Sequence, residues 1–245
     1  MWTPFALAPE LRSYAGRVFR MVEGQHIVST NRLTDSPDDQ MLLEAIIDGV
    51  KPRLPPAAAG LHWLLASPFR YGYRTGSRFR APGERNGIFY AAETVATSAG
   101  ESAYWRLRFE AAMAAPAPPT RLQMTMFAVR VKTARGLDLT AQPFAGERAV
   151  WVHPSDYGPT QALGAAAARE AGTALLRTPS ARIAEGICVP VLDPSAFVSA
   201  PVLTASFTFS TAPDELSATA AFPLRFNARY RLADGQLRVD GGGSG

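Results

Sequence analysis

The chain has 245 residues, of which 47% are hydrophobic and 19% charged, with a formal net charge of +4. This composition predicts a globular protein of one large domain or two small ones and excludes a disordered chain or a coiled coil. Cys188 is the only cysteine, which excludes an intrachain disulfide and a cysteine-rich metal site, and its apolar setting "GICVPVL" predicts a buried thiol. The three histidines are far apart in sequence, so we expect no metal.

Targeting and binding signals are weak along the whole sequence. The first residues show no basic stretch followed by an apolar one, and no run of 18 apolar residues occurs, so we expect a cytoplasmic protein without a membrane partner. Basic residues form no cluster, and we therefore expect no direct nucleic-acid binding.

The first third of the chain predicts a strand followed by a helix. "GRVFRMVEGQHIVSTNRL" begins with strand character and then turns polar. "DSPDDQMLLEAIIDGV" predicts a helix capped by Ser36, with Pro37 at its first position and an apolar face made by Met41, Leu42, Ala45 and Ile46. "KPRLPPAAAG" ends this helix and is typical of a linker. We interpret residues of about 30–60 as an inserted segment that gives the main body an N-terminal helical extension.

The middle of the chain alternates between helix and strand without a regular βαβ order. Residues 93–113 and 159–172 predict helices, whereas residues 120–133, 173–178, 186–192 and 201–211 predict strands. Strands outnumber helices, which favours an α+β fold with a mixed or antiparallel sheet over a doubly wound one.

The last strand has the clearest pattern. Its apolar side chains alternate with polar ones, which are Arg225, Asn227, Arg229 and Arg231, and Asp234-Gly235 predicts a hairpin turn into "QLRV". An arginine face of this kind is usually solvated, but it could also contact an acidic partner or nucleic acid. The final "DGGGSG" predicts a flexible tail over 241–245.

The stretch "GSRFRAPGERNGIFYAAETVATSAGE" places Arg78, Tyr90 and Glu101 at nearly even intervals. Taken singly, each has a structural explanation: a turn arginine, a core tyrosine, and a glutamate near a helix start, where it would favour the helix dipole. Together they could form a pocket for an anion and a developing cation. Dinucleotide-binding, phosphate-loop, zinc-protease and serine-hydrolase motifs do not occur.

Four segments, taken in order, resemble the RES-domain proteins. They are "FRMVEGQHIVST", "SPFRYGYRTGSRF", "GIFYAAET…GE" and "LRTPSARIAEG", and the resemblance runs from about Arg17 to Phe197. These proteins are toxins of bacterial toxin–antitoxin modules whose antitoxins carry an Xre-type region. The resemblance implies a single domain over residues 1–240, with a split mixed sheet around an NAD cleft as in ADP-ribosylating toxins.

The resemblance also implies site residues. Arg78, Tyr90 and Glu101 match its catalytic arginine, tyrosine and glutamate. An arginine suits the NAD diphosphate, a tyrosine can stack on nicotinamide, and a carboxylate favours the oxocarbenium-like ribose that forms when nicotinamide leaves.

Two further positions complete the implied NAD site. Ser180 in "TPSAR" matches the family serine, which could bind phosphate or orient Glu101. The early arginine is matched by Arg20 in "FRMVE", although the long separation from Arg78 leaves Arg70 in "PFRYG" as a competitor.

The implied function is a toxin that uses NAD as its substrate, without a metal, and transfers ADP-ribose to a protein target. The first alternative is a phosphorylase or glycohydrolase that depletes free NAD. The second is a non-enzymatic binding module that uses the arginine-lined strand. The implied partners are a cognate Xre-type antitoxin and a protein acceptor.

Overall fold

A computed structural model describes residues 2–24, 36–71, 74–114, 118–169, 171–221 and 224–241. The polar end of the stretch that begins as the first predicted strand, residues 25–33, and the predicted tail from 242 onwards lie outside these residues.

Helices and strands are mixed along the described chain. The helices are α1 Pro4–Leu7, α2 Pro37–Val50, α3 Trp63–Arg70, α4 Val95–Ala111, α5 Arg148–Trp151 and α6 Gly158–Arg169. The strands are β1 Arg12–Glu23, β2 Arg121–Asp138, β3 Leu175–Pro179, β4 Ile187–Cys188, β5 Val202–Ala212, β6 Glu215–Ala220, β7 Phe226–Ala233 and β8 Gln236–Asp240. Three-residue 3₁₀ turns at Ala8–Glu10, Pro56–Ala58 and Pro194–Ala196 and a four-residue one at Phe144–Glu147 connect them.

The sheet is mixed and divides at its longest strand, which confirms the predicted α+β class. Seven of the eight strands follow the order β4-β3-β2-β5-β6-β7-β8, and the eighth, β1, pairs with β2 outside that path. Strand β5 is antiparallel to the first half of β2, whereas β3 is parallel to its last three residues, 136–138. Because β1 lies along β2 over nearly its whole length, β5 and β3 share the opposite edge, and the sheet separates between them.

The β3–β4 branch curls back towards β1. Residues 89–92, which precede α4, connect this branch to β1. On the β1 side, Phe19 and Ala92 exchange backbone hydrogen bonds. On its other side the same segment bonds to the chain after β4, where Phe89 and Val191 exchange hydrogen bonds and Val189 N–H donates to the Ala91 carbonyl. Residues just before α4 are thereby brought against the loop that follows β3.

The apolar core has three parts. One lies inside the curl around Phe89, Phe127 and Val191, and the second lies between α4 and the β5–β7 strands. The third packs α6 and Trp151 against β2 and β3. Helix α4 therefore rests on the long branch of the sheet while its first turns face the short branch.

Helix α2 forms where the sequence predicts it. Ser36 caps it by accepting a hydrogen bond from Asp39 N at 3.1 Å. Its predicted apolar face is not packed, however: Met41, Leu42 and Ile46 are 66%, 62% and 55% exposed. The predicted helix is present, but these three side chains stay largely exposed among the described residues.

Other elements differ from the sequence prediction. The linker-like segment after α2 packs on the main body, because Ala58 is fully buried with Leu65 in the first core cluster. Strand β6 and helix α3 were not predicted. The β7–β8 hairpin is confirmed, with buried and exposed residues alternating along β7 and positive φ angles at Asp234 and Gly235.

Candidate functional site

A cavity of about 310 Å³ lies where the first half of α4 meets the 75–80 loop and the chain after β3. Four of the predicted site residues line it: Arg20, Arg78, Tyr90 and Glu101. The other lining residues are Pro68, Thr75, Gly76, Ser77, Phe79, Arg80, Ile88, Trp105, Tyr157, Ala181, Arg182, Cys188 and Pro190.

Glu101 projects from the interior of α4, which corrects the expectation that it lies at a helix start. The helix begins at Val95 with Thr94 as its cap, so Glu101 is its seventh residue and lies beyond the first turn. A dipole explanation for this carboxylate is therefore wrong. The preceding Gly100 allows close packing, because a Cβ there would collide with the side chain of Ile183.

Two donors hold the same oxygen of the Glu101 carboxylate. The Ser180 hydroxyl donates to Oε1 at 2.5 Å, and the Cys188 thiol donates to it at 3.3 Å. Burial, followed by the negative charge of Glu101, raises the pKa of Cys188 well above its usual value, so the thiol stays protonated. The predicted buried thiol is confirmed, and it contacts the carboxylate directly.

Ser180 lies behind Glu101 and is itself buried. Its Oγ also accepts hydrogen bonds from the backbone N–H groups of Arg182 at 3.1 Å and Ile183 at 3.0 Å. The serine thus connects the turn after β3 to the carboxylate, a geometry that suits orientation of Glu101 better than contact with a phosphate.

One side of the Arg78 guanidinium is occupied by hydrogen bonds to the protein. Its Nη2 donates to the Pro179 carbonyl at 2.8 Å and to Thr178 Oγ1 at 3.1 Å, and makes a short hydrogen bond to the Trp151 carbonyl. Burial lowers the pKa of this arginine, and the Glu101 charge acts in the opposite direction. Its Nε is buried and has no hydrogen-bond partner among the described residues.

Tyr90 supports the loop that carries Arg78. Its hydroxyl pairs with Ser77 Oγ at 2.8 Å and accepts a hydrogen bond from Phe79 N at 3.2 Å. Burial raises the pKa of this hydroxyl, which therefore remains protonated. The phenol is fixed in place, with its ring at the cavity wall.

The two candidates for the early arginine differ in position. Arg20 lines the cavity, donates from Nη1 to the Tyr90 carbonyl at 3.5 Å, and lies over the Phe89 ring at 4.7 Å from its centre. Arg70 ends α3 and is not among the described residues that line the cavity. The structure thus brings Arg20, and not Arg70, to Tyr90 and Glu101.

Some lining residues were not singled out from the sequence. Arg182 lies only two positions beyond Ser180 in the same "TPSAR" segment, which is the signal that could have indicated it. Trp105 lies one turn after Glu101 on α4 and is 51% exposed at the edge of the cavity. Tyr157 reaches the wall from the chain just before α6.

A second cavity, of about 140 Å³, has charged residues at its wall that form ion pairs with their neighbours. It is lined by Arg177, which binds Glu93 at 2.8 Å and contacts Asp138 at 3.4 Å. The Tyr14 hydroxyl, also in its wall, donates to Glu93 at 3.1 Å. Because its acids and bases satisfy one another, this cavity is a weaker candidate for the site.

The arginine face of β7 is largely paired with neighbouring strands. Arg229 and Arg231 contact Glu215 on β6 at 3.1 and 2.9 Å, and Arg231 also lies 3.8 Å from Asp240 on β8. Within the described ranges, no group of His, Cys, Asp and Glu side chains could hold a metal ion. No helix in the same ranges has the length and apolar character needed to cross a membrane.

Fold and site together define an α+β protein with an arginine-rich cavity around the oriented carboxylate of Glu101. The sequence model described as the RES domain matches residues 53–212, which is 160 of the 245 residues. The chain therefore belongs to the RES domain family.

Comparison with solved structures gives a more distant likeness. A chain in the crystal structure of the M. tuberculosis MbcT–MbcA toxin–antitoxin complex aligns with 15% identity and a TM-score of 0.42. The alignment covers 82% of this chain and 87% of that one. No curated protein matches this chain.

Proposed function

We propose that this protein is a toxin that cleaves the nicotinamide–ribose bond of NAD and that a cognate antitoxin restrains it. The observation that carries the proposal is the placement of Glu101, whose carboxylate is fixed in a cavity lined by Arg20, Arg78 and Tyr90. Membership in the RES domain family supports it, because the family resemblance implies NAD consumption and an antitoxin of the Xre type.

The chemistry proposed for Glu101 is electrostatic. When the bond from the ribose C1′ to nicotinamide breaks, both electrons leave with the nicotinamide nitrogen and positive charge develops on the ribose. A carboxylate beside that carbon stabilises the transition state more than the ground state. Ser180 and Cys188 hold Oε1, so the carboxylate needs little reorganisation during the reaction.

The remaining residues would bind the substrate around this carboxylate. Arg78 and Arg20 provide positive charge suited to the NAD diphosphate. Tyr90 offers a rigid aromatic wall against which the nicotinamide ring could stack, since its hydroxyl is already bonded to the 77–79 loop.

We propose a protein as the acceptor of ADP-ribose. Trp105 at the edge of the cavity and Phe109 one turn further along α4 are 51% and 57% exposed, which extends an apolar surface away from the cavity. Exposed apolar surface beside a site is typical of contact with another macromolecule. If phosphate or water is the acceptor instead, the same site would deplete free NAD.

The arginine-lined strand is a weaker basis for function. Its central arginines already pair with Glu215, so an acidic partner would have to displace these contacts. Binding that depends steeply on salt and survives Glu101→Gln would favour this alternative.

The test compares purified wild-type protein with Glu101→Gln and Glu110→Gln. Glu110 lies on the same helix but pairs with Arg106 at 2.6 Å and does not line the cavity, so it is a matched control. We expect Glu101→Gln to lower the turnover of NAD by about 10²–10³-fold, the usual loss when one preorganised electrostatic group is removed. Glu110→Gln should behave as wild type.

Mass analysis of the products identifies the acceptor. A protein that gains the mass of ADP-ribose indicates transfer to protein, whereas free ADP-ribose or its phosphorylated form indicates NAD depletion. Equal NAD loss with wild type and Glu101→Gln would refute the role of this carboxylate. No NAD loss with either protein would refute the proposed enzymatic activity.

A further inference from the structure

Arg182 is a buried cation in the wall of the same cavity. It is only 8% exposed, and its guanidinium lies 3.7 Å from the centre of the Tyr104 ring. One arm is held by the protein, since Nη2 donates to the Tyr157 hydroxyl at 2.6 Å and to the Pro154 carbonyl at 3.1 Å. The plane of the guanidinium is therefore fixed before any ligand arrives.

The other arm of Arg182 has no acceptor among the described residues. Its Nη1 is buried and makes no hydrogen bond within the part of the chain that the structure describes. Leaving a buried charged donor without a hydrogen-bond partner costs free energy. A guanidinium carries only donors, so only an acceptor can satisfy it. The Nε of Arg78, in the same cavity wall, is in the same condition.

The charges of the cavity indicate the sign of a ligand. Among the described residues, four arginines line it and one carboxylate, that of Glu101, opposes them. Burial is the main cause of the lowered pKa of Arg78, and the positive charge of Arg182 acts in the same direction. Two cations that repel each other, one buried and one partly buried, are stabilised when an anion binds between them.

We propose that Arg182 is a substrate-binding residue that, together with Arg78, holds a phosphate-type anion through its Nη1. Phosphate groups suit this arrangement because their several oxygens can accept hydrogen bonds from two guanidiniums at once. The anion could be the diphosphate of a dinucleotide or free inorganic phosphate. This inference rests on the proposed function for its choice of dinucleotide, but the anion site itself does not depend on bond cleavage.

The test measures binding instead of turnover. ADP-ribose and inorganic phosphate are titrated separately, by calorimetry and by thermal unfolding, into wild type, Arg182→Gln, Arg182→Lys and Arg148→Gln. Arg148 is a matched control because it is 49% exposed, pairs with Glu185 at 3.8 Å and does not line the cavity.

Arg182→Gln should bind ADP-ribose about tenfold to a hundredfold more weakly, the loss expected for one charge-assisted hydrogen bond. Arg182→Lys keeps the charge and loses the planar fork, so its affinity should be intermediate, and it provides the comparison if Arg182→Gln does not fold. Arg148→Gln should match wild type. Loss of ADP-ribose binding alone assigns the anion as the diphosphate, loss of phosphate binding alone assigns it as free phosphate, and loss of both shows that the two ligands share this site.

The inference is overturned if folded Arg182→Gln and Arg182→Lys bind both ligands with wild-type affinity. It is also overturned if wild type binds neither ligand. Failure of the proposed function gives a different result. If the protein does not turn over NAD but Arg182→Gln still weakens ADP-ribose binding, the anion site is supported and only the enzymatic function is refuted.

Discussion

Replacing Ser180 with alanine tests how the Glu101 carboxylate is held. The substitution removes the hydroxyl that donates to Glu101 Oε1 at 2.5 Å. It also removes the acceptor for the backbone N–H groups of Arg182 and Ile183. Because Ser180 is buried, solvent does not readily replace these three contacts.

The size of the effect follows from the types of bond that are lost. A hydrogen bond to a charged group contributes about 1.5–3 kcal/mol, and leaving buried donors without an acceptor costs a further ~1–3 kcal/mol. We therefore expect Ser180→Ala to lower the free energy of unfolding by about 3 kcal/mol or more. For a chain of this length that corresponds to a fall in Tm of roughly 6–12 °C.

Ser77→Ala provides the comparison, since the Ser77 hydroxyl pairs with the neutral Tyr90 hydroxyl at 2.8 Å. That bond should contribute only about 1 kcal/mol. Thermal and denaturant unfolding of both variants give the stability difference, and NAD turnover gives the functional one. A Ser180→Ala protein as stable as Ser77→Ala and fully active would refute the argument that this serine holds Glu101.

Two further predictions concern the surroundings of the carboxylate. Cys188 should resist alkylation by iodoacetamide in the native protein and react fully once unfolded, because burial raises the pKa of its thiol; rapid labelling of native protein would contradict this. Gly164→Ala should destabilise the protein by about 1–3 kcal/mol and weaken NAD binding, since a Cβ there would collide with the Phe79 carbonyl in the loop that carries Arg78. Gly146→Ala, where a Cβ would meet nothing within 4 Å, is the control, and identical unfolding curves for the two would count against the close packing.

Local features of this protein could be predicted from its sequence. The Ser36 cap and the β7–β8 hairpin depend on neighbouring residues, so capping chemistry and alternation were sufficient to indicate them. The grouping of Arg78, Tyr90 and Glu101 was also predicted, from the order of family-like segments.

The details of the site could not be predicted in the same way. Glu101 meets Ser180 across 79 positions of the chain, and Arg78 meets the Trp151 carbonyl across 73. Contacts over such distances depend on how the sheet divides and curls, which no local pattern encodes. For the same reason the sequence left Arg20 and Arg70 as alternatives.

The sequence by itself thus determined the α+β class, the main helices and strands, and the residue types available for chemistry. Only the tertiary structure decided which oxygen of Glu101 is held, which side of Arg78 is committed to backbone carbonyls, and which arginine reaches the cavity. The physical reason is that side-chain orientation follows from packing between distant elements. The apolar face of α2 illustrates this, because the local pattern predicted the face but only the tertiary structure shows that it stays exposed.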